Sequence, residues 1–152
     1  MFLARVNGLE STYRPVVGES LKVVQGPFHA EIDRQANELT LFLGSNYAGR
    51  FQVFIGDDLP TTASNYEVIE ITTGREFFDR KTGYRVAKDD PNNPYGAVWI
   101  GLRGDQVTAG HNVGIHVANG TESPRGCIGV SETDARDLAI ILTMGSTVKV
   151  IQ

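Results

Sequence analysis

Cys127-Ile128-Gly129-Val130-Ser131-Glu132-Thr133-Asp134-Ala135, continuing through Leu138, Ala139 and Leu142 to Gly145 and then Thr147-Val148-Lys149-Val150-Ile151, sets the architecture of this chain. The opening apolar run is short and bounded by turn residues, as a strand is. Ser131 then offers a hydroxyl at a helix N-cap with Asp134 three residues on, a variant of the capping box in which Asp replaces Glu or Gln. Ala135, Leu138, Ala139 and Leu142 mark one face at helical spacing, and Gly145 is positioned to stop the helix. The chain is therefore expected to end as strand, capped helix, strand.

Upstream of this stretch the apolar runs are again short. Leu21-Lys22-Val23-Val24, Phe28-His29-Ala30-Glu31-Ile32-Asp33, Glu38-Leu39-Thr40-Leu41-Phe42-Leu43 and Tyr47 to Ile55 read as strands. The last two form a hairpin across Gly44-Ser45-Asn46. Asn65 to Ile71, Ala97-Val98-Trp99-Ile100-Gly101-Leu102 and Gly114-Ile115-His116-Val117 follow as further strands. Residues 77–94 are polar and turn-rich, which predicts a long loop with at most a short hairpin at Thr82-Gly83. A loop over 75–97 is long enough to serve as a lid over a cleft. The expected fold is mainly β, a sandwich or distorted barrel with one packed α-helix near the C-terminus. The first residues differ: Phe2 to Leu9 reads as the end of a helix stopped at Asn7-Gly8, followed by a polar loop. This divides the chain into a segment over 1–25 and a globular domain over 26–152.

The 152 residues suit one domain with at most a fragment of another, able to bury roughly 70% of its unfolded surface. A net charge of −4 with no basic run lacks the electrostatic footprint of a nucleic-acid binder. No apolar stretch approaches the ~18 residues a membrane span needs. Met1-Phe2-Leu3-Ala4-Arg5 lacks a signal-peptide layout, so the chain is either cytosolic or has lost its natural N-terminus. One cysteine excludes an internal disulfide, and His29, His111, His116 and one thiol show no metal-ligand spacing. No metal or cofactor is expected.

Cys127, beside Gly126 and eleven residues after His116, stands where a nucleophile would be placed. A thiol attacks only as its thiolate, so it needs a base, and an imidazole can take its proton and return it to a leaving amine. Residues 118–126 have loop composition, so a strand ending at His116 and one starting at Cys127 can be neighbours. Gly126 allows consecutive N–H groups to converge on an oxyanion, an effect worth roughly 3–4 kcal/mol per donor. Arg125 is placed to favour the thiolate or to hold an anionic group, and Ser123 lies in the same loop. Taken singly, each residue has a plainer role. A lone cysteine in an apolar run is a buried small hydrophobe, a lone histidine a hydrogen-bonded or surface residue, and Arg125 a solvated loop charge. His111 reads as a loop residue, His29 as a strand residue facing solvent, and Tyr95 and Trp99 as core or cleft wall.

Taken together, Gly114-Ile115-His116, Ser123-Pro124-Arg125-Gly126-Cys127-Ile128 and the capped helix from Ser131 resemble the active-site region of the YkuD-type L,D-transpeptidase catalytic domain. The hairpin from Leu39 to Gly56 resembles that family's opening hairpin, so the likeness covers residues 26–152. Residues 3–9 and 17–23 resemble the C-terminal half of a LysM repeat, which implies a fragment of a longer envelope protein. The resemblance implies Cys127 as nucleophile and His116 as base, with Gly126, Arg125 and Ser123 at the oxyanion and substrate positions. It implies acyl transfer on peptidoglycan stem peptides to form 3→3 crosslinks, at the cell envelope, periplasm or extracellular face, and reaction with carbapenem β-lactams. This chain has Pro124-Arg125-Gly126-Cys127 where the family usually has Ser/Thr-His-Gly-Cys, and Val117 where glycine is common after the histidine. The family's Thr-Pro-x-Gly is present only as Leu59-Pro60-Thr61-Thr62-Ala63-Ser64. An L,D-carboxypeptidase of the same fold and a catalytically degraded peptidoglycan-binding module are the alternatives.

Overall fold

A computed structural model describes residues 2–10, 12–23, 25–56, 59, 64–79, 82–104, 113–118 and 127–152. Its strands are β1 (Phe28–Asp33), β2 (Glu38–Leu43), β3 (Asn46–Gln52), β4 (Phe54–Ile55), β5 (Ser64–Thr72), β6 (Phe77–Phe78), β7 (Arg85–Val86), β8 (Trp99–Gly104), β9 (Val113–Val117), β10 (Ile128–Val130) and β11 (Thr147–Ile151). The helices are α1 (Phe2–Val6) and α2 (Glu132–Ile141). Nine strands form one sheet in the order β3-β2-β1-β11-β5-β8-β9-β10-β4, and β6 pairs only with β7. The β1–β11 and β9–β10 pairs are parallel and the remaining pairs antiparallel.

Val53 is the single residue between β3 and β4, yet those strands stand at opposite ends of the sheet order. The sheet must therefore curl until its two edges approach, which gives a nearly closed, barrel-like form. The expected single strand from Tyr47 to Ile55 is broken at this residue. Val53 turns its N–H to the Asn37 carbonyl at 2.9 Å and buries its side chain, so one run of sequence serves both edges. The expected strand at Leu21 is also absent over the described residues 21–23. There the backbone of Lys22 is satisfied by a side chain: its N–H donates to Asn7 Oδ1 (2.7 Å) and its carbonyl accepts from Asn7 Nδ2 (2.9 Å). Val23 is 67% exposed, so its side chain is not packed on a sheet face. The same Asn7, with Gly8, ends α1 as the composition predicts.

The interior is built from alternate residues of the strands, among them Ile32, Leu39, Leu41, Val68, Ile100, Ile115, Ile128, Val148 and Val150. Ala135, Leu138 and Ile141 bring α2 into this core, against β8 and β9, and Leu142 follows them just past the helix. The cap at Ser131 forms as expected: Oγ accepts the Asp134 N–H at 3.2 Å and donates to Asp134 Oδ2 at 2.7 Å. The helix ends at Ile141 rather than at Gly145. Leu142 turns to an extended conformation and buries its side chain, and Ser146 Oγ accepts the Thr143 N–H at 3.0 Å. Replacing Ser131 with Ala leaves the Asp134 N–H without its side-chain acceptor. The expected cost is about 1 kcal/mol, seen as a melting temperature lower by about 2–4 °C in a thermal unfolding scan.

Candidate active site

Ile128 stands opposite Ile115 and Gly129 opposite His116 in the parallel β9–β10 pair. Trp99 stands opposite His116, and Gly101 opposite Gly114, in the antiparallel β8–β9 pair. Because side chains alternate with period two, the core takes Ile100, Leu102, Val113, Ile115, Val117, Ile128 and Val130. The other face of the same three strands receives Trp99, Gly101, Gly114, His116, Cys127 and Gly129. Cys127 and His116 thus share a face as diagonal neighbours, with Cα atoms roughly 8 Å apart from the strand spacing and rise. Cys127 precedes β10 by one residue and is held there by its carbonyl, which accepts the Gly56 N–H at 3.0 Å just after β4.

This face is covered. The segment between β5 and β8 folds across it and places Tyr95 against Trp99 (ring centroids 4.5 Å) and against His116 (5.1 Å). Phe77 backs Tyr95 edge-on at 5.2 Å. Trp99 lies nearly parallel to the His116 ring, with centroids 6.1 Å apart. Tyr95, Trp99 and Cys127 pack together as a second buried cluster separate from the main core. The hairpin expected at Thr82-Gly83 is the β6–β7 pair within this segment. Asn93 ties the segment down: Nδ2 donates to the carbonyls of Arg75 (2.8 Å) and Ala87 (2.9 Å), and Oδ1 accepts the Tyr95 N–H (2.9 Å). Nothing in a polar, turn-rich run distinguishes such an asparagine from one that merely turns the chain.

Gly114 makes the Trp99 position possible. A Cβ at residue 114 would stand 2.6 Å from Trp99 Cζ2 and Cη2 and 2.8 Å from the Ile100 carbonyl oxygen. The indole therefore lies against bare backbone of β9, beside the imidazole.

Cys127 is only 1% exposed, so a bulky reagent reaches it only if its cover shifts. His116 is also buried. Its Nδ1 lies 2.8 Å from the Val117 carbonyl oxygen. A carbonyl only accepts, so Nδ1 carries the proton and Nε2 keeps its lone pair, as a general base requires. Burial lowers the His116 pKa below the ordinary 6.5, and the bond to the Val117 carbonyl opposes that shift in part. The ring is therefore neutral near pH 7. Gly126, Arg125, Ser123 and His111 lie outside the described residues. His29 is distant in the strand order and stacks on Phe42 at 5.4 Å rather than simply facing solvent. Among the described residues no group of His, Cys, Asp and Glu side chains could hold a metal ion. Likewise, no helix there is long and apolar enough to cross a membrane.

The YkuD family model, the L,D-transpeptidase catalytic domain, matches residues 27–150. No curated protein sequence matches the chain significantly. Among solved structures, L,D-transpeptidase 1 of Mycobacterium tuberculosis is similar at TM-score 0.57 and 16% identity, over 82% of this chain and 62% of that one. L,D-transpeptidase 3 of the same organism, in complex with a faropenem-derived adduct, gives 0.58 and 14%, over 82% and 60%. The catalytic domain of an Enterococcus faecium L,D-transpeptidase gives 0.60 and 15%, over 82% and 97%. The chain thus spans about three fifths of the two mycobacterial relatives and nearly all of the isolated catalytic domain.

Two outcomes are expected of this geometry. Gly114→Ala forces the indole off β9 and costs about 1–3 kcal/mol. It also shifts the emission of Trp99, the sole tryptophan, in a fluorescence-monitored urea titration. The His116 contribution has a definite sign. Its folded pKa lies below its unfolded value, so the unfolded chain binds more protons between the two. Stability from this group is complete above about pH 6.5 and is lost as pH falls through the folded-state value. Urea midpoints measured from pH 7.5 to 5 should fall in the wild type and fall less in His116→Gln.

Proposed function

Because the chain belongs to the YkuD family of L,D-transpeptidase catalytic domains, we propose that it is a cysteine-dependent acyltransferase forming 3→3 peptidoglycan crosslinks. The shared face of Cys127 and His116, under the cover of Tyr95 and Trp99, is the observation that carries this reading.

In this reading His116 Nε2 takes the Cys127 proton as the sulfur attacks the carbonyl of the diamino acid at position three of a tetrapeptide stem. The tetrahedral intermediate collapses with cleavage of the C–N bond to the terminal D-alanine, whose amine receives the proton from His116. The side-chain amine of a second stem then attacks the thioester and gives its proton to His116. The C–S bond breaks, and Cys127 leaves as thiolate and regains the proton. The N–H groups around Gly126 and Cys127 are assigned to the oxyanion, with Arg125 and Ser123 on the substrate side. Residues 26–152 form the catalytic domain in this reading. The same reading takes residues 1–25 as a partial LysM-like segment and places the protein at the cell envelope, periplasm or extracellular face. The faropenem-derived adduct in the mycobacterial relative supports β-lactams as covalent probes.

The carboxypeptidase alternative shares the acyl-enzyme and differs in taking water as acceptor, so product analysis separates the two. A non-catalytic peptidoglycan-binding module is favoured by the burial of Cys127 and by Pro124, Arg125 and Val117 in place of the family's usual residues. Intact-protein mass spectrometry after incubation with a carbapenem or a tetrapeptide decides between module and enzyme. A covalent adduct on the wild type, absent from Cys127→Ala, is expected; no adduct on the wild type refutes the acyltransferase reading. His116→Ala should slow acylation about 10²–10⁴-fold. Because burial lowers the His116 pKa, the acid limb of wild-type acylation, followed as kcat/KM, should lie below pH 6.5.

A further inference from the structure

Beside the proposed nucleophile, two buried polar atoms lack a hydrogen-bond partner, the indole Nε1 of Trp99 and the hydroxyl of Thr72. Their residues stand opposite each other in the β5–β8 pair. Trp99 is 1% exposed, so its N–H cannot turn to water, and such a group calls for an explanation. An acceptor stands nearby. Trp99 Nε1 and Glu70 Oε2 lie 3.0 and 3.2 Å from one point, the place where a Cβ on Gly101 would be. Glu70 nonetheless makes no hydrogen bond to the indole and is paired with Arg75. The Arg75 guanidinium in turn lies over the Trp99 ring, 4.8 Å from its centroid.

We propose that Arg75 recognises a carboxylate of the peptide substrate, and that Glu70 holds its place until that carboxylate arrives. The incoming group displaces Glu70 from the guanidinium, and the freed Glu70 carboxylate accepts the idle indole N–H of Trp99. The identity of the ligand rests on the acyl-transfer reading; the exchange itself rests on these side chains alone. Three observations support it. Arg75 keeps 29% of its side chain exposed, so a ligand can reach it, and a guanidinium fork fits a carboxylate in two parallel hydrogen bonds. A partly exposed ion pair contributes little to stability, so trading one carboxylate for another is nearly neutral. Glu70 also has a second donor waiting, which a pair serving only as structure would not need. Arg75 touches the ring that packs against Cys127, so a peptide anchored there would lie beside the sulfur.

A stem tetrapeptide offers the needed chemistry at two places, its C-terminal carboxylate and the side-chain carboxylate of a diaminopimelate at position three. Trp99, the sole tryptophan, reports directly on the exchange. The test is an emission titration of the full chain with the diaminopimelate tetrapeptide, its C-terminal amide, and an analogue with lysine at position three. Thioester formation is followed by mass spectrometry in the same samples. On the wild type, the analogue that lacks the recognised carboxylate should bind about tenfold more weakly. Arg75→Gln should bind all three peptides alike, and Arg75→Lys should restore part of the preference. Glu70→Gln, freed of the competing charge, should bind the tetrapeptide several-fold more tightly, with a smaller change in emission. A purely structural pair predicts weaker binding from Glu70→Gln, as from Arg75→Gln. The proposal is overturned by that result, by equal wild-type affinity for all three peptides, or by emission that no peptide changes. A carboxylate preference without a thioester would sink the acyl-transfer reading and keep the exchange, whereas a thioester without the preference would do the reverse.

Discussion

The register of β10 on β9 is the constraint from which the site follows. Ile128 opposite Ile115 assigns even and odd residues of both strands to opposite faces. A slip of one residue would send Cys127 into the main core and Ile128 into the place of the thiol. The apolar face guards against that slip, because Ile115, Val117, Ile128 and Val130 are all buried in the main core that α2 joins. The packing that stabilises the domain is therefore also what places the thiol and the imidazole on one surface. The β4 strand, with the Gly56 N–H on the Cys127 carbonyl, fixes the same segment from its other side.

A second layer builds on that surface. Trp99 lies against Gly114, and Tyr95 lies against both Trp99 and His116, so two aromatic side chains restrict where the imidazole can sit. The cover is a segment with little regular structure of its own, and it depends on Asn93 for its hold. Glu70 and Arg75 stand where this segment leaves β5. A substrate anion at Arg75 would therefore act at the root of the cover rather than at its tip.

Period-two alternation in Phe28–Asp33, the turn at Gly44-Ser45 and the cap at Ser131 were all legible in the sequence, because each is decided by neighbouring residues. The adjacency of the His116 and Cys127 strands was legible too, from the loop composition between them. What local pattern could not show was the bend at Val53, since it is imposed by closure of the sheet rather than by any residue near it. The run at Leu21 has strand composition, but its backbone partner is the Asn7 side chain fifteen residues away. Arg75, Glu70 and Asn93 carry no motif, and their importance comes from what the fold sets beside them. Ser123, Arg125 and Gly126 were singled out by resemblance and lie outside the described residues.

The burial that brings these groups together also works against part of the proposed chemistry. His116 is a weaker proton acceptor here than in water, because its charged form would lose hydration under Tyr95 and Trp99. A peptide large enough to offer a carbonyl to Cys127 has to move that cover. Any movement that admits polar groups returns part of the lost solvation and raises the proton affinity of Nε2. The closed form is thus a resting arrangement with the imidazole neutral and Nδ1 already engaged by the Val117 carbonyl. Entry of substrate would complete the base at the moment it is needed, with no further group to titrate.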